Sequence, residues 1–102
     1  MAQLLVLYKT PKDTAAFDKY YFETHAPIAK AIPGVRKYEV SQGPVNTPGG
    51  PADVYLVAIL QFDSMAALQQ GLGSPQGQAA AGDLPNFASG GVELLMYDTR
   101  EV

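Results

Sequence analysis

Two apolar runs constrain this chain more than any other feature. Leu4 to Tyr8 and Val54 to Leu60 are apolar at nearly every position, not at every second one. Successive strand residues point to opposite faces, so such runs predict strands with apolar surroundings on both sides. A layer of helices covers one side of a sheet and leaves the other in need of a cover. Composition agrees, because 47% of the chain is hydrophobic and only 17% charged, below the rough quarter usual in soluble domains. The length of 102 residues fits one domain, 1–102. A chain of this size removes only about two thirds of its extended surface on folding, so a shared face with a second copy adds burial. A homodimer is expected.

Punctuation along the chain gives the order of elements. After the first strand, Lys9-Thr10-Pro11 is a break and Asp13 is placed to cap a helix. Phe17, Tyr20, Tyr21, Ile28 and Ile32 fall on one side of that helix, with Asp18, Lys19 and Glu23 on the other. Pro27 lacks an amide proton and disfavours helical torsions at Ala26, which predicts a kink or restart before the helix ends at Pro33-Gly34. Val35 to Gln42 alternates as an edge strand, with Arg36, Tyr38 and Val40 on one side. Gly43 to Ala52 carries three prolines and three glycines and reads as a long irregular connection. Val54 to Phe62 is the central strand. Asp63 or Ser64 caps a short helix stopped by Gly71 and Gly73, and Ser74-Pro75 starts another that reaches Gly82. Asp83-Leu84-Pro85-Asn86-Phe87 is a turn with two apolar anchors, and Val92 to Tyr97 is the last strand. This βαββαβ order is that of the ferredoxin-like α+β fold, a four-stranded antiparallel sheet with helices on one face. Two such sheets packed face to face would hide the second face.

Counts exclude several chemistries. There is no cysteine and one histidine, His25, so thiolate nucleophiles, disulfides and multi-histidine metal sites are out of reach, and no acidic cluster replaces them. No metal or organic cofactor is expected. A formal net charge of -3 with seven scattered cations argues against a nucleic-acid partner. The apolar runs are too short to span a membrane. The start Met1-Ala2-Gln3 has no basic stretch, so no export signal is read and a cytoplasmic location is expected. The glycine-rich tracts lack the lysine and context of a phosphate loop, and no serine sits in a nucleophile elbow.

Phe17-xx-Tyr20-Tyr21-xxx-His25-Ala26-Pro27, followed by Pro33-Gly34 and Tyr38, resembles the EthD family of the dimeric α+β barrel superfamily. Ser74-Pro75-Gln76-Gly77 leading into Asp83-Leu84-Pro85-Asn86-Phe87 is similar to the second-helix and loop signature of that family, so the likeness spans nearly the whole chain. The resemblance implies a ferredoxin-like subunit, a dimer, and a role in ethyl tert-butyl ether degradation or other small-molecule catabolism. Relatives in the wider superfamily include cofactor-free monooxygenases, isomerases and cyclases acting on small hydrophobic compounds, an analogy of fold.

His25 is the one side chain whose ordinary charge change lies near neutral pH, and so is the candidate for proton transfer. If the helix ends at Pro27, its unpaired carbonyls favour a cation there and raise the pKa of His25, unless burial overrides them. Tyr21 lies four residues earlier on the same stripe and is the candidate assistant. Phe17 belongs to the aromatic set that packs this helix on the sheet, and with Tyr38 and Tyr55 on neighbouring strands is a candidate substrate contact. Asp53 and Asp83 read first as turn or capping residues. Asp83 stands inside the shared loop signature and is the better functional candidate of the two.

The expected activity is proton transfer on a small hydrophobic compound, as in a cofactor-free isomerase, lyase, cyclase or monooxygenase. The alternative is a non-catalytic carrier or accessory protein for a hydrophobic intermediate. Both require a cavity of roughly a few hundred cubic ångströms beneath the helices, with His25 on its wall in the enzyme.

Overall fold

The computed structural model describes residues 1–102. Strands β1 (Ala2–Tyr8), β2 (Lys37–Val40), β5 (Leu56–Phe62) and β6 (Val92–Asp98) form an antiparallel sheet in the order β2-β5-β1-β6. The two wholly apolar runs become the two central strands, and the ferredoxin-like order read from the sequence is present. Short strands β3 (Asn46–Thr47) and β4 (Gly50–Pro51) pair with each other. The connection expected to be irregular therefore contains a small hairpin, closed where the Thr47 hydroxyl donates to the Gly50 carbonyl at 2.9 Å.

The register separates the sheet into two faces. Tyr38, Leu60, Leu4 and Met96 lie in one row across it, and Val40, Ala58, Val6 and Leu94 in the next. This is the helix side, where Leu4, Val6, Tyr8, Leu56, Ala58 and Leu60 are buried. Leu5, Leu7, Val57, Ile59 and Leu95 stand on the other face, with Lys37, Glu39 and Glu93 at its rim. Side chains there are half-buried or exposed. Burial on both faces of β1 and β5, expected from their composition, is thus not reached within one chain: each alternates between buried and half-buried positions.

Helices α1 (Thr14–Tyr20), α2 (Ala26–Lys30), α3 (Met65–Gly73) and α4 (Pro75–Asp83) form the second layer. Asp13 caps α1 by accepting from the Ala16 amide at 3.0 Å. Of the two cap candidates for α3, Ser64 performs the role, accepting from the Ala67 amide at 3.0 Å. Asp63 instead pairs with Arg36 at 2.7 Å. Ser74 caps α4 with Pro75 at its first position. Two glycines let these helices nest. A Cβ on Gly77 would lie 2.2 Å from the Gly71 carbonyl oxygen, and one on Gly71 would lie 2.6 Å from the Pro33 carbonyl oxygen. The contact seats α4 closely against α3, and its last residue, Asp83, meets Tyr20 and His25 of the first helical stretch. No helix is long and apolar enough to cross a membrane.

Candidate active site

His25 owes its placement to Pro27. In a continuous α-helix the Pro27 ring would strike the carbonyl one turn back and leave that turn a hydrogen bond short. The chain answers with a wide turn over Tyr21–His25, in which the Ala26 amide donates to the Tyr21 carbonyl five residues back. The helical path then continues through α2 instead of ending. Such widened turns recur at functional sites because they re-aim side chains without breaking the helix. Here Tyr21 and His25 both turn inward and are buried, with ring centroids 5.5 Å apart.

This overturns the expectation that a helix end raises the pKa of His25. The residue lies inside a helical path and not at its end, and burial lowers its pKa, with the opposing pull of Asp83 too weak to reverse the effect.

Asp83 is not a cap. Its Oδ2 lies 2.9 Å from Nδ1 of His25, while Oδ1 accepts from the Tyr20 hydroxyl at 2.6 Å and the Asn86 amide at 3.0 Å. The His25 and Asp83 side chains are only 5% and 8% exposed. Burial alone would raise the pKa of Asp83, but donors from Tyr20, Asn86 and His25 outweigh it and hold the carboxyl below its ordinary range. An ionised carboxylate only accepts, so Nδ1 must carry the ring proton in neutral His25. The basic lone pair then sits on Nε2, which makes no hydrogen bond and is not sealed from solvent. Phe87 packs against the imidazole with ring centroids 4.6 Å apart.

The imidazole lines a chamber between helices and sheet, with Tyr8, Tyr21 and Tyr38 on its wall and Ala58, Gly77 and Ala80 around them. The hydroxyls of Tyr21 and Tyr38 are hydrogen-bonded to each other, and the Tyr8 ring meets Tyr21 edge-on at 5.5 Å. Burial pushes the pKa values of all three phenols up, so they are neutral donors near pH 7. The chamber holds about 50 Å³, room for one or two waters at about 30 Å³ each. That is well below the volume expected from the sequence. Leu94, at its border, is 44% exposed.

Of the six candidate residues, His25, Tyr21, Tyr38 and Asp83 are brought together. Phe17 packs behind them, its ring stacked on Tyr21 at 5.8 Å and edge-on to Tyr8 at 5.5 Å, without lining the chamber. Tyr55 precedes β5 and lies elsewhere. Its hydroxyl donates to Asp18 at 2.8 Å, in an open groove of about 750 Å³ between α1 and the β3–β4 arm. Asp53 is exposed, 3.6 Å from the Lys9 ammonium. Sequence reasoning missed Tyr8, Tyr20 and Asn86 as polar members of the site. Tyr8 shares the parity of Leu4 and Val6, and that signal places it on the helix side. No group of three or more His, Cys, Asp or Glu side chains is arranged to hold a metal ion.

Comparison with known proteins agrees with the motifs. A family model described as the EthD domain matches residues 9–91. The chain is 39% identical over its full length to an uncharacterized 11.0 kDa protein in the thcB-thcC intergenic region of Rhodococcus erythropolis, 98% of which is covered. It is 35% identical to an ethyl tert-butyl ether d (EthD) family protein from Bacillus halodurans, covering 98% of this chain and 99% of that one, with a TM-score of 0.89. A dimeric protein of unknown function and ferredoxin-like fold from Bacteroides fragilis shares the fold at 19% identity, over 96% of this chain and 95% of that one, with a TM-score of 0.65. With the family model matched across both helical signatures and the likeness running from end to end, this chain belongs to the EthD family.

Proposed function

We propose that the protein is a cofactor-free enzyme of small-molecule catabolism, in ethyl tert-butyl ether degradation or a related route, that moves a proton on a small hydrophobic compound. The observation that carries this reading is the buried His25–Asp83 pair at 2.9 Å, with the imidazole on the wall of an apolar chamber and its Nε2 without a hydrogen-bond partner. A base oriented by a buried carboxylate, with its pKa lowered by burial, is neutral near pH 7 and ready to accept a proton. The Tyr21–Tyr38 pair supplies one neutral donor, the O–H not spent within the pair, for negative charge developing on a substrate oxygen. Because the chamber holds about 50 Å³, substrate entry requires α4 or the border at Leu94 to yield. A panel of small ketones and lactones in D₂O tests this across carbon acids that such a base could deprotonate. Wild type is expected to catalyse deuterium incorporation into at least one of them and His25→Gln to lose it; equal rates in the two proteins would remove His25 from the mechanism.

A second reading, a carrier for a hydrophobic intermediate, is favoured by the groove of about 750 Å³ lined by Phe22, Val40, Val45 and Val54. It has the room that the chamber lacks and no imidazole on its wall. Binding of a hydrophobic compound there, unaffected by His25→Gln and without deuterium exchange, would select it.

In either case the working unit in this reading is a homodimer. Leu5, Leu7, Val57, Ile59 and Leu95 leave an apolar sheet face with a charged rim, which is the pattern of a surface paired with its own copy. Sedimentation at micromolar concentration is expected to give twice the 10.9 kDa subunit mass.

A further inference from the structure

The imidazole is tied to solvent-facing structure through one side chain outside the chamber. Tyr20 is half-buried, and its ring stacks on Phe87 at 5.4 Å with an interplanar angle of 22°. Phe87 in turn meets His25. The Tyr20 hydroxyl donates to Asp83 Oδ1, and Asp83 Oδ2 meets His25 Nδ1. Tyr20, Asp83, His25 and Phe87 therefore close a ring of two hydrogen bonds and two aromatic contacts. On its outer side Tyr20 lines a groove of about 290 Å³ with Asn86 and Ser89.

A carboxylate is broadly free to rotate about its last bond, and both its oxygens are acceptors. With Oδ1 taken by Tyr20 and Asn86, only Oδ2 is left for the imidazole, and donors on Oδ1 draw off part of the negative charge that would otherwise stabilise an imidazolium.

We propose that Tyr20 is a positioning residue that acts through Asp83: it fixes the carboxylate with Oδ2 toward His25 and weakens the pull of that carboxylate on the imidazole, leaving Nε2 free to accept a proton. This rests on the reading of His25 as the base, but it concerns a property of the chain that exists without substrate. Asp83 is the charged side chain facing His25. The remaining titratable groups at the chamber wall, Tyr8, Tyr21 and Tyr38, are neutral phenols.

The simpler alternative is that the Tyr20 hydroxyl only latches α1 to α4. Nitrogen-detected NMR of the His25 ring separates the two, because a latch has no reason to move its titration. In wild type the neutral ring is expected to carry its proton on Nδ1. Tyr20→Phe keeps the ring stack and removes one donor, so Asp83 becomes the stronger partner of the imidazolium and the His25 midpoint is expected to rise with the Nδ1–H tautomer retained. Asp83→Asn is expected to lower the midpoint. A midpoint unchanged or lowered in Tyr20→Phe would overturn the proposal, whatever its melting temperature. Should Tyr20→Phe fail to fold, Asn86→Ala removes the other donor to Oδ1. A smaller rise there supports the proposal, and none overturns it. If wild type catalyses no deuterium exchange while Tyr20→Phe still raises the midpoint, the enzyme reading fails and the positioning role stands.

Discussion

The chamber beside His25 and the groove under the β3–β4 arm divide between them what an active site normally combines. The first holds about 50 Å³ and the second about 750 Å³. Beside each stands a tyrosine that donates to an aspartate, Tyr20 to Asp83 at 2.6 Å behind the chamber's imidazole and Tyr55 to Asp18 at 2.8 Å on the groove wall. Burial separates them. Asp83 is buried and shares its carboxylate with an imidazole and an amide, whereas the Tyr55–Asp18 bond is exposed. Where water is excluded, a hydrogen bond sets charge and protonation; at the surface water competes for both partners and the same bond sets little. The reactive groups thus sit where there is little room, and the room lies where groups are solvated.

The largest expected effect breaks the roof of the chamber and leaves the groove alone. Gly77→Val places side-chain atoms where even a Cβ would lie 2.2 Å from the Gly71 carbonyl oxygen. Backbone cannot move aside cheaply, so a loss of about 3 kcal/mol is expected, at the upper end of the cost of overpacking. Urea unfolding measures it. A loss below about 1 kcal/mol would mean that α4 lifts readily, which would bring the chamber closer to the groove in accessible volume.

Next comes the pair of aspartates. Asp83→Ala strips the acceptor from Tyr20, Asn86 and His25 together, and about 2 kcal/mol is expected, chiefly from the buried His25 N–H left without a partner. Asp18→Ala removes one acceptor from a solvated bond and should stay within about 0.5 kcal/mol. Equal losses in denaturant unfolding would erase the distinction between the two hollows.

How much of this contrast the sequence carries depends on chain distance. The caps at Asp13, Ser64 and Ser74, the strand order, and the shared stripe of Tyr21 and His25 are local or periodic features and could be read directly. The pairing of His25 with Asp83 spans 58 positions and exists only because Gly71 and Gly77 let α4 seat, a close approach that composition does not reveal. Pro27 announced a disturbance in the helix but not its form: the chain widened one turn, and no helix end was left beside His25. Tyr55 was misplaced for a different reason. In a run apolar at nearly every position, parity is uninformative, and the strand begins at Leu56, two residues after the expected Val54.

Acid should affect the chamber before the groove. His25 has its folded midpoint below the ordinary 6.5, so between the two values the unfolded chain binds more protons, and stability falls as pH drops from above 6.5 through that window. Asp83 has its folded midpoint below 3.8; its contribution is present above 3.8 and is lost as pH falls through the folded value. Melting temperature is therefore expected to decline in two stages. His25→Gln should remove the first stage and keep the second. A first stage that survives this substitution would assign it to groups other than the imidazole.

The smallest effect is the most discriminating control. Tyr55→Phe deletes a hydroxyl of the same kind, donating to the same kind of carboxylate, as Tyr20→Phe does. The Tyr55 bond is solvated and lies outside the ring of contacts around the imidazole, so stability should change by no more than about 0.5 kcal/mol. The His25 midpoint should not move. If both substitutions shifted it alike, the cause would be a general loosening of α1, which carries Asp18 and Tyr20, and the special standing of Asp83 would be lost. If only Tyr20→Phe shifts it, then burial and shared acceptance at Asp83, rather than the presence of a tyrosine–aspartate bond, decide which hollow can do chemistry.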